Sequence, residues 1–497
     1  MIQSKAISLS KSKFIAGMQC LKRLYLQVYQ PELRAKMDEA SEAILTQGQE
    51  VSLLAQKAFP SGKPVDAGHL ETEKALAITQ KLMADHSLPA IFEAAFFHEN
   101  VLVRVDVLQR SSRNRWRLIE VKATTRVKDY HLYDLAIQQR VLEDCRIKIS
   151  SACLMHLNRD YVYDGQKYDL DRLFTQVDLT PEINRFSEDL PTLLAMQRKA
   201  LEEDSPPEIE PGDRCKDPFS CEFFEYCNRP LPPDHVACLP GLRREHLEAL
   251  MEMGIDDISR IPPDFPLSER QCRARECVLS GTTWISDQVH QDLQGLVYPL
   301  HFMDFETWYP ALPRHAGMRP YDHIPFQWSV HIQKRPGGRL EHHQFLAEGK
   351  HDPRPAFIKS LTGVLKDKGH IVVYNKSFES GRLDDLARWL PDYQGLIKNI
   401  RDRLWDLLPV IRGNLYHPKF QGSYSIKSVL PALIPQMTYE GMTISDGGQA
   451  SLAWEKMVRG DLSKRERKKL QDALQAYCQQ DTLAMNKLLT FIQGQGE

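Results

Sequence analysis

The sequence predicts an α/β protein built from two α/β units that a helical segment joins. Helical and strand-like patterns alternate over residues 1–230, and a second alternation covers residues 297–497. Between them, from about residue 236 to residue 292, the pattern is one of short helices, with a spacing that vaguely suggests a helix-hairpin-helix. A chain of 497 residues is long enough for separate cores. We therefore expect domains at 1–235 and 293–497, with a helical connector over 236–292.

Composition narrows the class of protein. The hydrophobic content of 42% and the charged content of 26% are those of an ordinary globular protein. The net charge of -2 argues against a generally basic surface but leaves room for a local basic groove. No apolar run approaches the roughly 20 residues that span a bilayer, and the N-terminus lacks the apolar core of a signal peptide. We expect a cytoplasmic protein with no membrane partner, in which cysteines are reduced thiols or metal ligands.

The first unit begins with two helical patterns, at 10–29 and 41–59. Three strand-like runs, a helix and a further strand follow, at 89–97, 100–109, 115–123, 129–145 and 148–157. Strand alternation places Glu120 and Lys122 on the same face, with Asp106 on the preceding strand. A carboxylate pair can hold Mg²⁺ while a nearby ammonium group steadies the phosphate. The alternative is a surface hairpin with an ion pair.

The second unit begins with three strand-like runs compatible with a meander, and a helix, a strand and a mostly helical remainder follow. The runs cover 296–307, 326–334 and 339–347, the helix covers 355–368 and the last strand covers 370–375.

Acidic residues fall at the ends of these predicted elements. Asp304 and Glu306, in the run HFMDFETW, share one strand face, and adjacent buried anions need a compensating cation such as a divalent metal unless the strand is an exposed edge. Glu379 enters a helix after a buried strand, and Tyr477 and Asp481 share one helix face. Taken alone, each acid is better explained as a solvated or capping residue. Together, four carboxylates and a tyrosine suit two-metal phosphodiester hydrolysis with Mg²⁺ or Mn²⁺.

These residues resemble a known family. The segments DFET, YN..FE and Y-x-x-x-D are similar to the three motifs of the DEDD exonuclease superfamily, whose fold is RNase H-like, in the subclass with tyrosine in the third motif. The resemblance implies 3′→5′ exonuclease chemistry, with Tyr477 orienting the nucleophilic water. It also marks a departure, because the second motif usually carries aspartate where Glu379 stands. Asp384 or Asp385 is the alternative ligand.

Four cysteines stand out by their placement. Cys215, Cys221 and Cys227 form a C-x5-C-x5-C array in a polar, proline-bearing loop, and Cys20 lies far upstream. Four thiolates are the complement of a [4Fe–4S] cluster or of a zinc ion. The wide spacing lacks the C-x-x-C pairs typical of zinc ribbons and so favours iron–sulfur, with zinc as the alternative.

The first unit also resembles a known family. The pattern D-(x13)-E-V-K, followed by a helix with Gln138, is similar to the PD-(D/E)XK nuclease core, especially its RecB-like branch. The resemblance implies that Asp106 and Glu120 bind the metal, that Lys122 supports the transition state and that Gln138 lines the site. Glu93 is a further candidate. The sequence lacks the branch's early histidine, so either Glu50 is the substitute or the site binds only one metal. It also has Leu142 where a tyrosine is usual.

One cysteine before this core and three after it resemble the iron–sulfur RecB-like nucleases, including the CRISPR-associated ones, in which the cluster joins both ends of the domain. The whole chain resembles an uncharacterised bacterial family that joins a PD-(D/E)XK restriction-endonuclease-like domain, through a short helical connector, to an RNase H-like domain. The resemblance implies a metal-dependent nuclease acting on DNA, from an end, in repair, recombination or defence. RNA as substrate, and a nucleic-acid-binding scaffold with degenerate sites, are the alternatives. No P-loop is present, so a separate helicase is a candidate partner.

Overall fold

The computed structural model describes residues 8–228 and 232–494, which form two compact units. Unit 1 contains the described residues up to 228 together with residues 310–322, and unit 2 contains the remainder. The expected connector, 236–292, is thus part of unit 2, whereas residues 310–322 belong to unit 1. Both units mix helices with a sheet, so the α/β class is confirmed. In the described part of the chain, no helix is both long and apolar enough to cross a membrane.

Unit 1 contains a seven-stranded sheet and helices on both of its faces. In chain order its helices and strands are β1 (Leu9–Ser10), α1 (Lys11–Gln19), α2 (Leu21–Tyr29), α3 (Glu39–Gln56), β2 (Lys63–Pro64), α4 (Thr72–Ala84), β3 (Ala90–His98), β4 (Val101–Ser112), β5 (Arg115–Lys122), α5 (Asp129–Asp144), β6 (Ile149–Leu157), α6 (Leu170–Leu173), β7 (Phe174–Asp178), α7 (Thr180–Phe186), α8 (Leu190–Glu202) and α9 (Phe224–Cys227).

The sheet of unit 1 has the strand order β2-β3-β4-β5-β6-β7, with β1 paired to β4. Strands β3, β4 and β5 are antiparallel, and β6 runs parallel to β5. Consecutive residues of β5 enter different cores, because side chains alternate along a strand. Leu118 packs in the core that contains Leu135 of α5, and Ile119 packs in the core that contains Val51 of α3. The helical stretch expected over 10–29 divides at Cys20, whose backbone is extended.

Unit 2 contains a five-stranded sheet, a two-stranded sheet and ten helices among its described residues. Its helices and strands are α10 (Arg244–Glu252), α11 (Glu269–Ser280), β8 (Trp284–Ile285), α12 (Val289–Leu293), β9 (Leu300–Trp308), β10 (Ile324–Gln333), β11 (Leu340–Leu346), α13 (Arg354–Val364), β12 (Ile371–Val373), α14 (Lys376–Trp389), α15 (Gln394–Asp402), β13 (Leu404–Asp406), α16 (Leu407–Asn414), β14 (Leu415–Tyr416), α17 (Ile426–Leu433), α18 (Gly447–Arg459) and α19 (Lys464–Gln493).

The five-stranded sheet has the order β11-β10-β9-β12-β13. Strands β9, β10 and β11 form an antiparallel meander, and β12 runs parallel to both β9 and β13. The chain therefore builds the sheet outward from β9 in one direction and then returns to add β12 on the other side. In open α/β sheets, ligands bind outside the carboxyl ends of the strands, next to such a reversal of strand order. Phe302 is the last residue of β9 paired with β12, so the second half of β9 extends past that end.

Each face of this sheet is covered by different helices. Phe302 and Trp308 of β9 pack in the core that contains Trp454 of α18 and Leu488 of α19. Met303 and Phe305 pack in the core that contains Phe357 of α13 and Leu386 of α14. Because residues alternate along the strand, Asp304 and Glu306 lie on the face of α18 and α19.

Candidate active sites

The first acid site lies in unit 1, where β4, β5 and α5 meet. The backbone N–H of Val121 donates to Oδ2 of Asp106 at 2.7 Å. Gln138 donates from Nε2 to Oε2 of Glu120 at 2.9 Å, and Nζ of Lys122 lies 2.7 Å from the other oxygen of Glu120. The structure therefore brings together all four residues that the sequence assigns to this site.

Two further residues belong to this site, and the sequence did not identify them. Nζ of Lys11 lies 2.8 and 3.0 Å from the two carboxylate oxygens of Glu120 and 3.5 Å from Oδ1 of Asp134. Lys122 donates to Oδ2 of Asp134 at 2.6 Å. Asp134 precedes Gln138 by four residues on α5, so helical periodicity could have identified it. Lys11 comes from the first helix, and no local pattern links it to the site.

The first site contains several carboxylates close together, and two lysines interact with them. Burial, and after it the charge of Glu120, raises the pKa of Asp106 to about 7. Burial also raises the pKa of Glu93, which lies in β3 with a φ of 56°. Although burial opposes the charged form, nearby carboxylates raise the pKa of both Lys11 and Lys122. Both lysines are therefore ammonium groups at neutral pH.

The sequence departs from the RecB-like pattern at a missing histidine and at Leu142, and the structure shows what lies around the residues concerned. Glu50, the proposed substitute for the missing histidine, forms an ion pair with Arg314 at 2.5 Å. Leu142 is fully buried and packs in the core against which α5 lies. Glu50 is thus engaged by a cation, whereas Leu142 supplies packing where a phenol would supply a polar group.

The second acid site lies in unit 2, at the part of β9 that extends past β12. Asp304 and Glu306 face α19, which carries Tyr477 and Asp481 on its buried side. Glu379, in the first turn of α14, is 2% exposed. The charges of Asp481, Glu306 and Glu379 all act on the carboxyl of Asp304. Three distant segments of the chain thus bring their acids together.

These acids lack enough positive charge around them. Burial, and after it the charges of neighbouring acids, raises the pKa of Asp304 and of Glu306 well above the ordinary range. Burial raises the pKa of Glu379 to about 8 and that of Asp481 to about 6. Oε2 of Glu379 is buried without a hydrogen-bond partner among the described residues. A divalent cation fits this site because it would supply the missing charge.

Four residues around the second site are additions to the sequence prediction. Tyr439 donates from its hydroxyl to Oδ1 of Asp481 at 2.5 Å. Nζ of Lys427 lies 5.3 Å from the ring centroid of Tyr477, and its charge favours the ionised forms of Glu306 and Asp481. The other two additions are Cys478, and Gly447 at the start of α18.

Cys478 and Gly447 approach the carboxylates directly. Sγ of Cys478 lies 3.9 Å from Oδ2 of Asp304, and one ligand atom from each of Asp304, Glu306 and Cys478 lies within 4.8 Å of the other two. A Cβ atom on Gly447 would lie 3.5 Å from Oε2 of Glu306, so the first turn of α18 passes close to this carboxylate. Cys478 is next to Tyr477 in the sequence, and Gly447 follows a long loop. No rule of residue spacing identifies either of them as part of the site.

The alternative ligands for the second motif are engaged elsewhere. Asp384 forms an ion pair with Arg401, and Oδ2 of Asp385 lies 2.9 Å from a guanidinium nitrogen of Arg382. Glu379 is the acid of this segment that is buried near Asp304. The structure therefore favours Glu379 over both alternatives.

The four predicted cysteines line one pocket of unit 1. Its lining includes Cys20, at the junction of α1 and α2, and the three cysteines of the 215–227 loop. The backbone N–H of Cys221 donates to the carbonyl of Cys215 at 2.8 Å, and burial raises the pKa of the Cys221 thiol to about 11. Among the described residues, the one group of three or more potential ligand atoms within 4.8 Å of one another is that of Asp304. No three of the four cysteine sulfurs therefore lie within 4.8 Å of one another.

The raised pKa values predict a pH-dependent stability. The folded chain binds the protons of Glu379 and Asp481 more tightly than the unfolded chain, whose carboxyls titrate near pH 4. Their contribution to stability is thus complete below about pH 4 and is lost as the pH rises to about 8. We expect Glu379→Gln in EDTA to raise Tm more at pH 8 than at pH 5, relative to the unmodified protein. Equal changes of Tm at the two pH values would contradict this electrostatic account.

Comparison with known proteins covers only part of the chain. A domain of unknown function, DUF2779, matches residues 301–425, which include Asp304, Glu306 and Glu379. The uncharacterized protein MG366 of Mycoplasma genitalium is 31% identical over 134 residues, and the uncharacterized protein UU173 of Ureaplasma parvum is 29% identical over 139 residues. Each match covers 24% of this chain and 20% of the relative, so the aligned segment spans about a fifth of each relative's length.

One solved structure, that of the protein SSO0001, is similar over a larger share of its own length. It is 13% identical and covers 41% of this chain and 81% of that one, with a TM-score of 0.18. A score of this size does not establish a common fold. The names of these proteins state no activity.

Proposed function

We propose that this protein is a metal-dependent nuclease with two active sites, acting on DNA from an end. The observation that carries the proposal is the second site, where Asp304, Glu306, Glu379 and Asp481 converge from three segments without enough positive charge. Burying anions in this way costs free energy, which a protein tolerates where the charges have a function. We take the architecture of unit 1 to be PD-(D/E)XK restriction-endonuclease-like, and that of unit 2 to be RNase H-like.

In the second site, we assign the four acids as ligands of Mg²⁺ or Mn²⁺. When bound, these ions would neutralise the phosphate and activate water. Tyr477 remains a neutral phenol because burial raises its pKa, so its hydroxyl can orient the attacking water. Tyr439 holds Asp481 through its short hydrogen bond, and Lys427 adds a positive charge 5.3 Å from the ring centroid of Tyr477.

In the first site, we assign Asp106 and Glu120 as metal ligands and Lys122 as the cation that steadies the phosphate. Gln138 fixes the orientation of Glu120 through its amide, and the N–H of Val121 fixes Asp106. Asp134 positions Lys122 through a 2.6 Å hydrogen bond. These contacts hold the reactive groups in place, which favours catalysis because less reorganisation is then needed.

We propose that Cys20, Cys215, Cys221 and Cys227 bind a structural [4Fe–4S] cluster. The pocket that all four line supports this assignment. The wide x5 spacing of the three later cysteines lacks the C-x-x-C pairs typical of zinc ribbons, and it favours iron–sulfur over zinc.

The test is Mn²⁺-dependent digestion of end-labelled single- and double-stranded DNA, with matched RNA and with one end blocked at a time. We expect nucleotide release from DNA by the unmodified protein, and loss of part of it in Lys122→Ala and of part in Asp304→Asn. Nucleotide release from RNA but not from DNA would show that RNA is the substrate. If the protein binds nucleic acid but cleaves none with any divalent metal, the proposed nuclease activity is refuted. The protein would then be a nucleic-acid-binding scaffold.

We propose a cellular setting by analogy with the nuclease families that the sequence resembles. In this proposal the protein acts in the cytoplasm, in repair, recombination or defence. Because the sequence contains no P-loop, strand separation would come from a separate helicase. Stimulation of digestion of blunt duplex by an added helicase, but not of single strands, is the expected sign of that division of labour.

A further inference from the structure

Lys11 contacts both carboxylate oxygens of Glu120, and the proposed mechanism does not use it. Its Nζ atom contacts both oxygens of Glu120, at 2.8 and 3.0 Å, while Lys122 contacts one of them. The side chain of Glu120 is 2% exposed and that of Lys11 is 22% exposed. The ammonium group thus occupies a position from which a cation contacts both oxygens of Glu120.

The helix that carries Lys11 is fixed at both ends. At its start, β1 pairs with β4, and the hydroxyl of Ser10 accepts from the N–H of Lys13. At its end, Gln19 donates from Nε2 to the carbonyls of Arg214 and Phe219, at 2.5 and 2.7 Å, in the cysteine-bearing loop. The backbone of Lys11 is therefore fixed in position near the carboxylates, whereas a lysine at an unattached helix end would be free to move.

We propose that Lys11 is a built-in cation of the first site that competes with the divalent metal for Glu120. The inference rests on the proposed metal-binding function of that site. A carboxylate oxygen held by two ammonium groups has little capacity left for a metal, and a third cation close by is repelled. Metal binding therefore requires the Nζ atom of Lys11 to leave Glu120, and Lys11 sets the metal concentration at which the site fills.

The alternative is that Lys11 forms an ordinary ion pair that only stabilises the start of α1. The two roles predict different effects of removing the lysine. Removing such a pair would lower the free energy of unfolding and leave the metal affinity unchanged. Removing a competing cation tightens metal binding. Metal affinity therefore separates the two roles, and it can be read without any assay of nuclease activity.

The test is calorimetric titration of the full chain with Mn²⁺, in an Asp304→Asn background that weakens the second site. Lys11→Met is expected to tighten Mn²⁺ binding at the first site by about tenfold or more, because one positive charge next to Glu120 is removed. Lys13→Met is the matched control, since Lys13 lies about 200° around the helix from Lys11. It removes the same charge from the same helix, and its affinity should match that of the parent.

Lys11→Gln provides a second variant, which keeps a polar side chain but removes the charge, and circular dichroism verifies the fold of each. Tighter binding in both Lys11 variants, but not in Lys13→Met, supports the proposal. Unchanged or weaker binding in a folded Lys11 variant, while Glu120→Gln abolishes the binding seen in the parent, overturns the role of Lys11 alone. Absence of any Glu120-dependent Mn²⁺ binding in all variants overturns both this role and the metal site of unit 1.

Discussion

Asp304→Asn is expected to lower the rate of hydrolysis at the second site by about 100-fold or more, while raising the stability of the metal-free protein. The loss of activity follows because Asp304 lies centrally, acted on by Asp481, Glu306 and Glu379. The gain in stability follows because asparagine removes a buried charge from among like charges. A residue that only stabilises the fold would show the opposite sign in the unfolding measurement.

The measurement pairs nucleotide release with thermal unfolding in EDTA, both in a Lys122→Ala background that silences the first site. Asp402→Asn is the control, because Asp402 is exposed and pairs with Lys398 at the surface. Its rate should lie within about twofold of the parent, as expected for a surface pair. Full activity in Asp304→Asn would remove Asp304 from the catalytic site, and a lower Tm would contradict the electrostatic account.

Cys20→Ser is expected to abolish binding of the proposed iron–sulfur cluster and to lower the Tm of unit 1 by about 10 °C or more, because the binding free energy of a structural metal site is folding free energy. Cys20 joins α1 to α2, and the other three cysteines lie nearly 200 residues later in the chain. A cofactor bound to all four therefore closes a long loop.

The measurement is iron and zinc content, with visible absorption, of protein purified without oxygen, followed by thermal unfolding. Cys145→Ser is the control, because Cys145 is another partly buried cysteine of unit 1 and lies outside the pocket. It should retain the brown colour and the iron. Zinc in place of iron in the unmodified protein would contradict the cluster, and equal iron in Cys20→Ser would remove Cys20 from its ligands.

The elements that carry the acids were predictable because their signals are local. Alternation of apolar and polar residues identifies β5, β9 and β10, and a buried run followed by Asn375 identifies the end of β12. Placement of Asp304 with Glu306, and of Tyr477 with Asp481, follows from the periods of strand and helix. The periodicity of strands and helices, together with the acidic character of these residues, was therefore enough to select most of the predicted ligands from the sequence.

What the sequence did not reveal depends on contacts between distant segments. Lys11 precedes Glu120 by 109 residues, and Tyr439 precedes Asp481 by 42. No periodicity spans such distances, so only the packed structure shows these partners. The division of the expected first helix at Cys20 was missed for a related reason. Its apolar pattern continues across the break, while the extended backbone of Cys20 turns the chain towards the cysteine-bearing loop.

The most direct test of the whole account is the location of Mn²⁺ in crystals of the full chain, read from its anomalous scattering. We expect peaks within about 2.0–2.5 Å of the carboxylate oxygens of the four acids of the second site, and a separate peak next to Asp106 and Glu120. The four acids are Asp304, Glu306, Glu379 and Asp481. Crystals that bind Mn²⁺ only at their surface, with both groups of acids free of metal at saturating concentrations, would contradict the proposal that these acids form metal-dependent active sites.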